Sequence, residues 1–151
     1  MSVTERLAEL GIELPEVVPP VAAYVPAVQT GSLVFTSGQL PMVQGAMPAV
    51  GRVGALVDPE TAKGLARTCA LNALAAVDAL VGIDSVVRVV KVVGFVASAP
   101  DFVGQPAVVN GASELLGEIF GDAGRHARSA VGVLALPLDA PVEVELVVEV
   151  A

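Results

Sequence analysis

Arg125 and Arg128 flank His126 at the entrance to an apolar run, Ala127–Leu136, in a chain that holds only eight Lys and Arg residues. An arginine leading into a buried-looking strand must snorkel to water, pair with a carboxylate or bind a ligand. Glu143, on the later run Val142–Val150, is a credible neighbour of Arg128 if the two strands pair. A structural Arg–Glu pair is the commoner arrangement. The same two residues also suit a carboxylate ligand, because a guanidinium fork grips a carboxylate through two parallel hydrogen bonds. A glutamate close by can hold or activate water.

Other chemistries find little support. One histidine and one cysteine exclude a Cys/His zinc site of the usual composition. Glu143 and Glu145 share a strand face but are a weak metal signal, and no EF-hand loop pattern occurs. Ser37, in Thr36-Ser37-Gly38, and Ser129 both lie outside a G-x-S-x-G elbow. A Ser/His/Asp triad would have to use His126, and no spacing supports it. Gly121-Asp122-Ala123-Gly124-Arg125 lacks the phosphate-loop Lys, and its Asp would repel phosphate.

The elements that must position these residues follow from periodicity and caps. Ser2 and Glu5 have capping-box spacing, and Gly11 is a plausible stop, so residues 1–16 read as a short acidic helical extension docked by Leu7, Leu10 and Leu14. Val17–Pro26 is proline-rich and extended. Ala27–Gln29 and Leu33–Gln39 read as strands around the turn Thr30-Gly31-Ser32, and Pro41–Val57 as a loop with at most one short strand. Asp58-Pro59-Glu60 starts a helix that runs to about Val81 and stops at Gly82. Its stripe of Leu65, Cys69, Asn72, Ala73, Ala76 and Leu80 implies close approach to a sheet, with Cys69 a small core hydrophobe. Val86–Ala97 is a strand apolar on both faces. Asp101–Phe120 is a second helix, Ala127–Leu136 a strand, and Val142–Val150 a strand of strict alternation. The pattern β-β-α-β-α-β-β is an α+β arrangement with two helices on one sheet face. Residues 17–151 then form one domain behind the extension.

Composition narrows the function classes. The chain has 151 residues, is 54% apolar and 16% charged, and carries a net charge of −8. That balance argues against nucleic acid, which needs a basic face, and 3% aromatic residues argue against base stacking. The longest uncharged run, Val17–Gly51, is broken by Pro19, Pro20, Pro26, Pro41 and Pro48, so no membrane helix and no membrane partner are expected from it. A single cysteine and the absence of a signal-peptide pattern point to a cytoplasmic protein. The apolar content exceeds what one small domain usually needs, which makes an oligomer the first expectation.

The chain resembles the RidA family, also called YjgF-like or L-PSP. The resemblance is carried by Tyr24-Val25-Pro26-Ala27-Val28-x-x-Gly31-x-Leu33-Val34-Phe35-Thr36-Ser37-Gly38-Gln39-x-Pro41 and by Val109-Asn110. Its most specific stretch is Ala127-Arg128-Ser129-Ala130-Val131, followed by Leu136-Pro137 and Val142-Glu143-Val144-Glu145. It spans most of the chain, from about Val21 to Val150. It implies a chorismate-mutase-like α+β fold, a homotrimer, and clefts each built from two chains. It further implies hydrolysis of 2-imino acids and their enamine tautomers to 2-keto acids and ammonia, with no cofactor and no metal. In that scheme Arg128 matches the arginine that holds the substrate carboxylate and Glu143 the glutamate that positions water. Tyr24, Ser37 and Asn110 match other cleft residues. His126 stands where the better-known members carry proline, and Pro26 where a Gln or small residue is common. With the longer N-terminus and the 41–57 segment, these departures resemble a divergent branch. His126 is either a cleft residue titrating near neutral pH or a histidine packed at a strand start.

Three function classes are therefore weighed: a cofactor-free imine/enamine deaminase, a non-catalytic trimer that binds a small 2-imino or 2-keto carboxylate as sensor or carrier, and a ribonuclease. The charge of −8 disfavours the last.

Overall fold

In a computed structural model, described here for residues 1–20 and 23–151, the elements run α1 (Val3–Leu10), β1 (Ala27–Thr30), β2 (Leu33–Thr36), α2 (Pro59–Val81), β3 (Val86–Ala97), α3 (Gln105–Phe120), β4 (Ala127–Val133) and β5 (Val142–Val150). The start of the family-like stretch, Val21, and part of the extended Val17–Pro26 segment lie outside the described residues. One sheet has the order β1-β2-β5-β3-β4. Of the strand pairs in this sheet only β3–β4 is parallel, and α3 supplies the long crossover that parallel neighbours need. The result is the expected α+β fold with β-β-α-β-α-β-β order behind the N-terminal helix.

Local chemistry explains the boundaries. At α1, the Glu5 N–H donates to Ser2 Oγ at 3.0 Å while the Ser2 N–H donates to Glu5 Oε2 at 2.8 Å. The helix closes on Gly11, whose φ of 68° suits a residue without Cβ. Leu7 is buried, and Leu10 and Leu14 pack against the core as expected. Asp84, in the turn between α2 and β3, accepts from the Thr4 N–H and hydroxyl, both at 2.8 Å. At α2, Asp58 accepts from the Thr61 N–H at 2.9 Å. Gly82 ends the helix. By length and composition α2 could cross a membrane, but over half of its most apolar stretch is packed inside the fold.

The core lies between the helices and one sheet face. β5 buries Val142, Val144, Leu146, Val148 and Val150 on that side and leaves Glu143, Glu145, Val147 and Glu149 on the other. Each such buried aliphatic side chain contributes about 1.5–3 kcal/mol relative to exposure. Two glycines set how close the layers come. A Cβ at Gly111 of α3 would collide with the Lys63 carbonyl on α2, and one at Gly94 of β3 with Val109 of α3.

Several expectations need correction. Leu80 is 46% exposed rather than part of the packed stripe, because in the last turn of α2 it is Val81 that packs against the core. α3 begins at Gln105, not Asp101, since Pro106 fits only the first turn of a helix. β4 stops at Val133, where its partner β3 ends at Ala97, so the Leu134 side chain is 77% exposed and its carbonyl accepts from Arg52 Nε at 2.7 Å instead of from a strand. β2 ends at Thr36 rather than Gln39, and that early ending shapes the site.

Candidate functional site

β2 leaves its ladder with β5 at Thr36, whose hydroxyl accepts from the Leu146 N–H at 3.0 Å in place of a backbone carbonyl. The chain rejoins β5 at Gln39, where N–H and carbonyl exchange bonds with Val144 at 2.8 and 3.1 Å. Ser37 and Gly38 therefore form a local detour. The Ser37 hydroxyl donates to the Val25 carbonyl at 2.6 Å, and its N–H to the Pro26 carbonyl at 2.8 Å. These bonds clamp the segment that carries Tyr24, itself 46% exposed. Gly38 packs directly against the Glu143 carboxylate, and a side chain there would occupy the same space. Ser37, Gly38, Glu143 and the Tyr24 segment thus form one cluster. Half-burial raises the Glu143 pKa above its ordinary value, with the neighbouring Glu145 charge adding to the effect.

Arg128 and Asn110 form a second cluster. Arg128 Nη1 donates to Asn110 Oδ1 at 2.8 Å and to Ser113 Oγ at 3.2 Å, and Nη2 to the Pro106 carbonyl at 3.4 Å. All three acceptors are neutral and sit on α3. The ion pairs among the described residues join Arg6 to Glu9, Lys63 to Glu114 and Arg67 to Glu118, and Arg128 is in none. Among the described residues its Nε–H has no hydrogen-bond partner and Nη2 makes one bond, so the fork keeps donors for a carboxylate. His126 Nδ1 lies 3.0 Å from the Ala127 carbonyl, partly buried at the start of β4.

The structural Arg128–Glu143 pair is overturned. β4 and β5 do not pair; both flank β3. Arg128 stands opposite Val92, on the helix-covered side, whereas Glu143 stands opposite Phe95, on the open side. The intervening strand and a three-residue offset along it also hold them about 14 Å apart at the backbone. Sequence reasoning missed Ser113 and the Gly38 cradle. The i, i+3 spacing of Asn110 and Ser113 on a helix could have revealed the first; nothing local signals the second. Cys69 is fully buried and its thiol pKa is pushed well up by desolvation, as suits an inert core side chain.

Residues 4–150 match the family described as "YjgF/chorismate_mutase-like, putative endoribonuclease". Protein TCP17 of Trypanosoma cruzi is 44% identical over 151 residues, covering 97% of this chain and 93% of its own. The crystal structure of Atu1372 from Agrobacterium tumefaciens, of unknown function, is similar at TM-score 0.90 and 46% identity, covering 99% of this chain and 92% of that one. E. coli TdcF with bound serine is similar at TM-score 0.60 and 27% identity, over 91% of this chain and 93% of that one. The matched span takes in Ser37, Asn110, Arg128 and Glu143, and both fold and sequence agree. The chain therefore belongs to the YjgF/chorismate-mutase-like family, the group that the motifs around Ser37 and Arg128 resemble.

Proposed function

We propose that the protein hydrolyses 2-imino acids and their enamine tautomers to 2-keto acids and ammonia, in clefts formed between three copies of the chain. The observation that carries this reading is Arg128: a partly buried guanidinium held by neutral acceptors, with donors to spare and no carboxylate partner among the described residues. Such a group suits a small carboxylate. Serine bound to E. coli TdcF supports a ligand of that size in a related fold.

In this reading Arg128 holds the substrate carboxylate and Glu143 holds a water against the imine carbon. Water adds its oxygen to that carbon and one of its protons passes to the imine nitrogen; the tetrahedral adduct then breaks its C–N bond as its hydroxyl proton moves to the leaving nitrogen, giving ketone and ammonia. An imine is already electrophilic, so orientation and a placed water suffice. Its raised pKa makes the Glu143 carboxylate a stronger base toward that water than an ordinary carboxylate. Arg128 and Glu143 lie on opposite faces of one chain's sheet, so a small substrate touching both needs Arg128 of one copy beside Glu143 of another. The open sheet face favours that assembly: Phe35, Val87 and Val131 are 41%, 50% and 43% exposed on it. The family's nuclease description fits this chain poorly, because a net charge of −8 opposes a phosphate backbone.

The test is release of keto acid from iminopyruvate generated in situ by a serine dehydratase. Acceleration over buffer that Arg128→Ala abolishes is the expected result. Saturable keto-acid binding without acceleration would replace the enzyme by a carboxylate-binding protein.

A further inference from the structure

A cavity of about 890 Å³ lies between the N-terminal arm Glu13–Pro20, the loop from Leu40 to Gly45 and one side of α2. It reaches the candidate site through Gly38, which packs on the Glu143 carboxylate, and through Tyr24. Neither Arg128 nor Glu143 is part of its wall, so Gly38 and Tyr24 are what it shares with the site.

The wall chemistry is specific. Met42, Val43 and Leu71 present apolar surface. Both amide hydrogens of Asn72 go to the Leu40 and Met42 carbonyls at 3.0 Å, so it offers the chamber no donor, only its amide oxygen, an acceptor that does not attract a carboxylate. The Thr68 hydroxyl turns back to the Gly64 carbonyl of its own helix. The charged wall residues are Glu13 and Glu16, both acidic and contributed by the arm. The chamber therefore rewards apolar atoms and repels a carboxylate.

We propose that this chamber receives the substrate's side chain and selects 2-imino acids with long or branched apolar side chains over short ones and over those with a second carboxylate. The inference rests on the deaminase reading for the position of the reacting carbon beside Glu143. It assigns the N-terminal arm a role as one wall of a specificity pocket. Each extra methylene buried there strengthens binding by about fourfold.

The test titrates the intact protein with three product keto acids, pyruvate, 4-methyl-2-oxopentanoate and 2-oxoglutarate, by calorimetry. In parallel, imines made from alanine and from leucine by an amino-acid oxidase are assayed for hydrolysis. The branched acid is expected to bind at least about tenfold tighter than pyruvate, and 2-oxoglutarate most weakly. Leu71→Trp fills the chamber and Val43→Asp charges it, and each should bring the ratio of branched acid to pyruvate within about twofold. Val43 is 48% exposed on a loop, so that variant decides if Leu71→Trp does not fold. Equal affinities in the unmodified protein, or a ratio that survives in the folded variants, overturns the chamber assignment. Absence of imine hydrolysis alongside the expected affinity ratio sinks the deaminase reading and leaves the chamber standing. Hydrolysis of both imines with no affinity ratio does the reverse.

Discussion

At the scale of single residues, Arg128 and Glu143 divide the proposed chemistry. Arg128→Lys keeps the charge but loses the planar fork, so kcat/KM on iminopyruvate should fall about 100-fold, nearly as far as with Arg128→Ala. A loss under about threefold in both variants would remove Arg128 from the site. Glu143 makes a pH prediction. Its folded-state pKa is raised by burial and by Glu145, so a base role requires activity to rise with pH through a midpoint above the ordinary carboxylate range. Glu143→Gln should lower turnover by about 100-fold and erase that limb. For stability the sign is opposite. The folded state binds the proton more tightly than the unfolded chain, so ionising Glu143 weakens the fold as pH rises through the elevated value. The glutamine variant should lack that decline in urea titrations. At this scale the sequence showed that Arg128 and Glu143 were unusual, but it left the partner of each open. The actual acceptors, Asn110 and Ser113, lie on α3 and reach Arg128 only through the fold.

At the scale of elements, caps and alternation were legible because they are local. Asp58-Pro59 starts α2 and Gly82 ends it, and β5 alternates along its whole length. The ends of β2 and β4 were not legible, because a strand stops where its neighbour or a substituting side chain stops the ladder. Thr36 does this for β2, and the end of β3 does it for β4. Helix contact makes a sharp prediction: Gly111→Ala places a methyl on the Lys63 carbonyl. That overpacking should outweigh the better helix propensity of alanine and destabilise the protein by about 1–3 kcal/mol in denaturant titration. The arm makes another. Asp84 is held below its usual pKa by the Thr4 N–H and hydroxyl. Its contribution is therefore present above the ordinary carboxylate pKa and lost as pH falls through the depressed value. Amide protection factors over Val3–Leu10, corrected for intrinsic exchange, should fall several-fold in Asp84→Ala at neutral pH, and in the unmodified protein only under acid conditions.

At the scale of the molecule, the apolar excess resolves into two surfaces. One is the core beneath α2 and α3. The other is the open sheet face bearing Phe35, Val87 and Val131. If three copies cover that face, light scattering should give three times the 15.2 kDa chain mass. Phe35→Glu should then yield folded monomers that hydrolyse no imine; a native protein running as one chain would contradict the intersubunit site. The sequence alone determined the fold class, the limits of α2, β3 and β5 and the family, because these follow from periodicity, caps and a run of motif residues along one chain. Tertiary structure alone decided that β3 separates Arg128 from Glu143 and turns them to opposite faces, since sidedness depends on strand order and register. It also decided that Gly38 cradles Glu143, because that contact joins positions far apart in the chain.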